Sequence, residues 1–282
     1  MPSRMLRRTL PAVVALALGA LAAGPAAAGR GVTVKGSDTM VILVQRWAEQ
    51  YMSGKPGEVV QVTGGGSGTG IAALINGSTD ICMASRPMKE DEKLKLRDRY
   101  QTRGVEIPVA KDGLSVYVNE KNPVQELTLA QLRDIYTGKL TSWKQVGGAD
   151  APITLYGREN SSGTYVYFKD NVLGGRDFSA RCQTLPGTAA VANAVLKDPN
   201  GIGYGGAAYA KGVRDVAVKK DARTQGVLPT PASVKDGSYP ITRYLYFYTR
   251  TQPAGKAKEF ITWVRSPAGQ AVVSQVGYFP LQ

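Results

Sequence analysis

The chain has 282 residues and a formal net charge of +13 at pH 7, and it contains no histidine. The absence of histidine excludes Ser-His-Asp and Cys-His nucleophilic catalysis and histidine-ligated zinc. The sequence also offers no cluster of metal ligands and no cofactor motif of high specificity. Lysine and arginine are scattered rather than interleaved with aromatic residues, which argues against a nucleic-acid-binding protein.

Residues 1–28 have the pattern of a cleaved secretory signal peptide. Three arginines precede an apolar run over residues 10–23, and alanines at 26–28 provide the small side chains of a cleavage site. The apolar run is shorter than the roughly 20 residues of a membrane-spanning helix. The pair Arg7-Arg8 leaves open whether export uses the Sec or the twin-arginine route. We therefore expect a periplasmic chain with a net charge of +10.

The segment that follows alternates strand and helix patterns. The predicted strands are 32–35, 59–62 and 81–84, and the predicted helices are 40–51, 71–75 and 90–100. In the first helix, the apolar residues at positions 40, 43, 44, 47 and 51 share one face. This order of elements predicts an α/β fold with a largely parallel sheet and helices on both of its faces.

A second α/β block occupies most of the remaining chain. Its predicted strands are 114–118, 153–156 and 202–204, and its predicted helices are 129–136, 164–172 and 189–196. The stretch 229–240 is rich in Gly, Pro and Asp and is predicted to be a loop. A strand at 243–249 and helical segments at 260–264 and 271–273 complete the chain.

Cys82 and Cys182 are the only cysteines in the chain. An oxidising compartment permits a disulfide between them, but bridging requires their Cα atoms to lie within about 7 Å of each other. The sequence does not give that distance. We therefore expect two buried, unpaired thiols and leave the disulfide open.

Four polar loops follow predicted strands. They are Gly36–Thr39, Gly64–Gly70, Ser85–Arg86 and Arg158–Thr164. In open α/β sheets, ligands bind at the carboxyl ends of strands, and helix N-termini there present unpaired N–H groups to anions. Serine and threonine add hydroxyl donors, and arginine adds a planar fork that matches phosphate oxygens. Each loop alone is typical of a helix cap, but four of them in two α/β blocks predict an anion site.

The glycine-rich loop does not match a nucleotide-binding motif. No Lys-Ser or Lys-Thr pair follows Gly70, so the loop is not a P-loop. Gly68-Thr69-Gly70 with Ala73 matches the dinucleotide fingerprint only loosely.

The order and spacing of several segments resemble the phosphate-binding proteins of phosphate ABC transporters, which have the type II periplasmic binding-protein fold. The segments are GGGSGTG at 64–70, DICMASRPM at 80–88, LTLAQLRDIYTGKLTSWKQVGG at 127–148, RENSSGTYVYF at 158–168, GIGYGGAAYA at 201–210 and YPITRYLYFYT at 239–249. The resemblance implies two lobes, each a mostly parallel sheet flanked by helices, joined by two hinge crossings. We expect residues 29–110 and 240–282 to form one lobe and residues 111–239 to form the other.

The resemblance implies that phosphate lies between the lobes and is held by hydrogen bonds alone. The loops and the resemblance together predict the ligand-binding residues Ser37, Asp38, Thr39, Ser67, Gly68, Thr69, Ser85, Arg86, Arg158, Ser161, Ser162, Gly163 and Thr164. Some members of the family have an aspartate at the position of Arg86, and it accepts a proton from the ligand. Asp38 is a candidate substitute for that acceptor, and its alternative role is a helix cap.

The resemblance implies a receptor without enzymatic activity. It would bind inorganic phosphate outside the cytoplasm and deliver it to the permease subunits of an ABC importer, as a monomer and without nucleic acid. The alternatives are a receptor for another oxyanion such as sulfate or arsenate, a secreted phosphoester hydrolase, and a surface scaffold.

Overall fold

A computed structural model describes residue 1 and residues 31–281; apart from Met1, the predicted signal peptide lies outside this part of the chain. The helices are α1 Val41–Ser53, α2 Ser67–Asn76, α3 Glu90–Tyr100, α4 Leu129–Tyr136, α5 Gly163–Asn171, α6 Thr188–Lys197, α7 Pro231–Lys235, α8 Gly255–Val264 and α9 Pro267–Val276. The strands are β1 Val32–Gly36, β2 Val60–Thr63, β3 Ile81–Ala84, β4 Val105–Val118, β5 Glu126–Thr128, β6 Thr154–Arg158, β7 Gln183–Leu185, β8 Gly201–Gly206, β9 Arg214–Asp215, β10 Ala217–Lys219 and β11 Thr242–Thr249. Short 3-10 turns occupy Asp38–Met40, Trp143–Val146 and Ala207–Tyr209.

One mixed sheet runs through the described chain in the order β2-β1-β3-β11-β4-β8-β6-β7, with β9 paired to β4. Strand β1 pairs in parallel with β2 and β3, and β6 pairs in parallel with β7 and β8. Between these parallel groups, β4 and β11 pair with each other in antiparallel register. The predicted α/β fold with largely parallel strand groups is confirmed.

Two large hydrophobic cores lie along this sheet. The first includes Leu43 and Trp47 of α1, and the second includes Phe168 of α5. Strand β4 contributes Val109 to the first core and Leu114 to the second. The chain crosses back along β11. Residue 241, just before this strand, belongs to the second core, and residue 245 within it belongs to the first. Strands β4 and β11 therefore connect the two cores.

Helix α1 has the amphipathic face that its sequence predicts. The five apolar residues at positions 40, 43, 44, 47 and 51 are all buried, and Trp47 Nε1 donates a hydrogen bond of 2.7 Å to Gly269 O in α9. Fully burying a large apolar side chain stabilises the fold by about 1.5–3 kcal/mol. This face therefore fixes α1, and with it the loop that precedes α1, against the first core.

Two sequence predictions about local structure were wrong. The strand predicted at 114–118 begins nine residues earlier, at Val105, because the charged pair Lys111-Asp112 interrupts the apolar pattern without interrupting the backbone pairing with β11. The loop predicted at 229–240 contains α7. Thr230 caps that helix by accepting a hydrogen bond from Ser233 N, and proline occupies its first turn.

Both cysteines are free thiols. Cys82 is buried in β3, where burial raises the pKa of its thiol well above the ordinary range. Cys182 is partly buried and packs near Gly157 of β6, and burial raises the pKa of its thiol to about 11. Burial thus keeps both sulfur atoms in the protonated, unreactive form.

None of the helices within residues 31–281 combines the length and the hydropathy that a bilayer crossing requires.

Asp215 is a partly buried acid in β9, opposite Tyr117 of β4. Its Oδ1 atom is buried and has no hydrogen-bond partner among the described residues. Burial raises the pKa of this carboxyl to about 6. Folding therefore favours the protonated acid and disfavours the carboxylate.

The substitution Asp215→Asn removes this titration. Wild-type stability should fall as pH rises from about 4 through 6, because the unfolded chain releases the proton at lower pH than the folded chain does. We expect the variant to gain up to about 3 kcal/mol over wild type by neutral pH, at about 1.4 kcal/mol per unit of pKa shift. Urea denaturation across this pH range measures the difference. Asp98→Asn, at an exposed carboxylate, is the control, and an equal, pH-independent effect of both substitutions would contradict the assignment.

Candidate functional site

Three buried serines meet at the carboxyl ends of β1 and β3 and the start of α2. Ser37 Oγ donates a hydrogen bond of 2.9 Å to Ser85 Oγ, and Ser85 N donates one of 3.0 Å to Ser67 Oγ. The oxygens of Ser67 and Ser85 lie 3.4 Å apart. The three residues are at most 1% exposed. Because carboxyl ends of neighbouring parallel strands meet at one edge of the sheet, loops distant in sequence bring these hydroxyls together.

Three buried threonines form a second hydroxyl group that joins elements on the two cores. Thr39 Oγ1 lies 2.7 Å from Thr164 Oγ1 and 3.4 Å from Thr188 Oγ1. Thr39 precedes α1, whereas Thr164 and Thr188 lie in the first turns of α5 and α6. Helix N-termini from both halves of the sheet therefore face the same hydroxyls, which is the arrangement that favours an anion.

The start of α5 packs directly against the serines. Ser162 caps α5 by accepting hydrogen bonds from Thr164 N and Tyr165 N. A Cβ atom on Gly163 would overlap the hydroxyls of Ser67 and Ser85, so only glycine fits at this position. Gly68 N at the start of α2 donates a hydrogen bond of 2.8 Å to Ser161 O. In this structure the two halves of the site are in contact.

Arg158 supplies a buried guanidinium at the end of β6. It donates to Thr188 Oγ1 at 2.7 Å and to Asp38 Oδ2 at 2.7 Å, and it makes two hydrogen bonds with Glu159. Burial raises the pKa of Glu159, but the hydrogen bonds from Arg158, its positive charge and backbone hydrogen bonds together outweigh burial and lower that pKa below its ordinary value. Asp38 also accepts a hydrogen bond from Gly65 N. Protein groups alone therefore fix the orientation of the guanidinium.

The structure places Arg86 against α3 rather than among the hydroxyls. Its guanidinium makes two hydrogen bonds with Glu92, at 2.7 and 2.8 Å, and donates to Pro87 O at 2.9 Å. Glu92 also accepts from Lys89 N and so closes the N-terminus of the helix. Within residues 31–281, the hydrogen-bond partners of the Arg86 guanidinium therefore include none of the three buried serines and none of the three buried threonines. Thr69, also predicted, is half-buried in α2 and its side chain makes no hydrogen bond to either group.

A second guanidinium that the sequence analysis missed does reach the hydroxyls. Arg243 of β11 donates to Ser85 O at 3.0 Å and to Thr164 Oγ1 at 3.0 Å. Its Nε and Nη2 atoms donate to Asp112 Oδ2 of β4, and Asp112 is fully buried. The signal in the sequence is a charged residue within each of two largely apolar strands, Asp112 in β4 and Arg243 in β11.

The fold is that of a two-lobed solute-binding protein. A family model for the PBP superfamily domain matches residues 22–268. The phosphate-binding protein PstS of Pseudomonas aeruginosa is 34% identical over 263 residues, which cover 87% of this chain and 81% of that protein. PstS of Bacillus subtilis is 33% identical over 261 residues, covering 92% and 84%.

Solved structures lead to the same family. A Clostridium perfringens protein, assigned as the substrate-binding protein of a phosphate ABC transporter and crystallised with bound phosphate, has a TM-score of 0.81 and 30% identity and covers 90% of this chain and 100% of its own. An ABC-type phosphate transport receptor from Vibrio cholerae has a TM-score of 0.71 and 29% identity, with 88% and 99% covered. The chain therefore belongs to the PBP superfamily and, within it, to the family of PstS phosphate-binding proteins.

Within residues 31–281, no group of three or more Asp, Glu, Cys or His side chains is placed to hold a metal ion.

The two hydrogen bonds between Arg86 and Glu92 predict that Glu92 stabilises the fold. Both side chains are largely buried, with 7% and 14% of their surfaces exposed, so Glu92→Ala leaves a buried guanidinium without its carboxylate. Breaking a buried ion pair in this way costs about 3–5 kcal/mol. Urea denaturation measures the loss. The matched control is Glu90→Ala in the same helix turn, whose exposed pair with Arg103 contributes about 1 kcal/mol or less. Equal losses in the two variants would contradict the role of Glu92.

Proposed function

We propose that this chain binds inorganic phosphate between its two halves and delivers it to the permease subunits of an ABC importer. The observation that carries the proposal is the convergence of buried hydroxyls, helix N-termini and a fixed guanidinium from both cores on one place. The PstS relatives and the phosphate-bound structure from Clostridium perfringens support the identity of the ligand.

The chemistry of the site suits a tetrahedral dianion. Burying such an anion is costly unless each of its oxygens receives hydrogen bonds. The serine and threonine hydroxyls now bond mainly to one another, and rotation about Cβ–Oγ would turn their protons to a ligand. The N-termini of α2 and α5, which are buried at this site, add backbone N–H groups. We propose that the ligand-binding residues come from the predicted set, with Ser37, Thr39, Ser67, Arg158 and Thr164 as donors.

The acidic residues near the site balance the charge of its arginines. Asp38 and Glu159 both bond to Arg158, so hydrogen-bond dipoles rather than excess positive charge would hold the anion. A hydroxyl group can accept a hydrogen bond as well as donate one. A protonated phosphate oxygen can therefore donate to a serine or threonine, and selectivity for phosphate over sulfate does not require a carboxylate at position 86.

Binding would be accompanied by closure of two lobes. We propose that residues 29–110 and 240–282 form one lobe, that residues 111–239 form the other, and that β4 and β11 act as the hinge. The open form would bind phosphate through one lobe, and closure would bring in the loops of the other lobe. The importer would then release phosphate by separating the lobes. We further propose that the mature chain is a periplasmic monomer, that residues 1–28 are its signal peptide, and that it binds no nucleic acid.

The proposal includes no catalytic step. A hydroxyl nucleophile requires an adjacent base, whereas the hydroxyls here contact other hydroxyls, backbone groups and guanidinium groups. The nearby carboxylates are bonded to arginines. Release of chromophore from a chromogenic phosphate ester by the pure protein would overturn this part of the proposal in favour of a hydrolase.

Arg158→Ala tests the proposed site. Calorimetry with phosphate should show a loss of about 2–5 kcal/mol in binding free energy, because the substitution removes a buried charged donor and leaves two carboxylates facing the anion. Arg176→Ala, at an exposed arginine, is the control and should bind as wild type does. Sulfate titrated in parallel should bind more weakly than phosphate. Tighter binding of sulfate would assign the receptor to another oxyanion, and an unchanged phosphate affinity in Arg158→Ala would remove this residue from the site.

A further inference from the structure

A buried ion pair joins the two strands that connect the cores. Arg243 of β11 lies directly opposite Asp112 of β4 in the antiparallel register. Nε and Nη2 of the arginine donate to Asp112 Oδ2 at 3.0 and 2.8 Å, and Ala207 N donates to Asp112 Oδ1 at 3.1 Å. The two side chains are 2% and 0% exposed. This pair therefore fixes the guanidinium at the crossing between the two halves.

The same guanidinium contacts both halves of the anion site. Nη1 donates to Ser85 O, which follows β3 on the first core, and Nη2 donates to Thr164 Oγ1 at the start of α5. An arginine carries five N–H donors, and four of them are used in the bonds to Asp112, Ser85 and Thr164. The fifth belongs to Nη1, the atom that lies beside the serine group.

A continuous row of threonine hydroxyls links the guanidinium of Arg243 to that of Arg158. Arg158 Nη1 lies 2.7 Å from Thr188 Oγ1, which lies 3.4 Å from Thr39 Oγ1. Thr39 Oγ1 lies 2.7 Å from Thr164 Oγ1, which accepts from Arg243 Nη2 at 3.0 Å. An anion that replaced the contacts between these hydroxyls would lie between two guanidinium groups.

Neighbouring groups hold Arg243 in the orientation that this role requires. The ring of Tyr167 in α5 lies 5.3 Å from the guanidinium carbon, and Tyr167 Oη donates to Thr242 O, next to Arg243 in β11. A lysine could not reproduce this planar set of four hydrogen bonds and the contact with the ring. The position therefore calls for arginine specifically.

We propose that Arg243, positioned by Asp112, is the second arginine of the phosphate site and links the bound ligand to the two hinge strands. The proposal rests on the function proposed above. It assigns to Arg243 the role that the sequence suggested for Arg86. Because the arginine lies on one crossing strand and its carboxylate on the other, ligand contacts at this group stabilise the arrangement of the strands that closes the lobes.

The test compares phosphate affinity in Arg243→Lys and Arg243→Met with that of wild type by calorimetry. Arg243→Met should raise Kd at least about 30-fold, the factor expected when one partner of a buried charge pair is truncated. Arg243→Lys should keep part of the affinity, since it retains the charge and loses the fork. The fraction of protein folded, from far-UV circular dichroism, is measured for each variant at the same temperature.

Arg250→Lys and Arg250→Met are the matched controls. Arg250 directly follows β11, donates to Thr79 O and lies over the ring of Tyr100, so it makes the same kinds of contact as Arg243. Seven residues of extended chain place it about 23 Å from Arg243. Both control variants should bind phosphate as wild type does.

A double variant separates ligand binding from a merely structural ion pair. Asp112→Asn combined with Arg243→Met removes both charges and keeps an acceptor for Ala207 N, so it remains informative if the single variant fails to fold. The proposal requires the double variant to bind as weakly as Arg243→Met. Recovery of wild-type affinity would overturn it, as would wild-type affinity in a folded Arg243→Met. If wild-type protein itself bound no phosphate, the proposed function would fail instead.

Small-angle scattering provides a second measurement, of lobe closure. Phosphate at saturating concentration for each protein should reduce the radius of gyration of wild type and of the Arg250 variants. It should produce a smaller reduction in Arg243→Met, because the link to the hinge strands is lost. A full reduction in that variant would overturn the link to closure.

Discussion

Charged and polar groups can be buried between two halves of a protein only if each of them has a partner there. The free energy of an unpaired buried charge is large, and its neighbours must supply hydrogen bonds. In this chain, Asp38 and Glu159 pair with Arg158, and Asp112 pairs with Arg243. The hydroxyls satisfy one another. These groups therefore form a self-paired network at the boundary between the two cores.

The arrangement of the two halves of the fold brings the groups of this network together. Parallel strands place their loops at one edge on each core, and the antiparallel strands β4 and β11 hold the two edges facing each other. Glycine at position 163 allows α5 to approach the serines to a distance that no other residue permits. The same close packing that excludes water would strengthen each hydrogen bond to a bound anion.

The sequence predicted the parts of this site that depend on local pattern. Hydroxyl residues that follow a strand and begin a helix are recognisable one loop at a time, so the pattern already pointed to Ser67 and Thr164, which the structure places beside Ser85 and Thr39. Pairing is not local: Arg243 and Asp112 are 131 residues apart, and only the register of β4 and β11 places them opposite each other. The guanidinium of Arg86 bonds to Glu92, only six residues away, but the pattern did not reveal this pair because Glu92 acts as the cap of a helix.

The fold, like the site, could be predicted where it depends on local sequence pattern but not where it depends on pairing between distant segments. Periodicity located α1 and the parallel strands β1, β2, β3, β6 and β8, but not the short parallel strands β5, β7 and β10. The length of β4 depends on β11, which comes more than 100 residues later. Of the two charged residues that made β4 look interrupted, Asp112 is the one that bonds to Arg243. A charge inside a buried strand lowers the free energy of folding only if a distant partner neutralises it. Such a break in an apolar pattern therefore indicates either a chain bend or a functional pair, and strand register decides between the two.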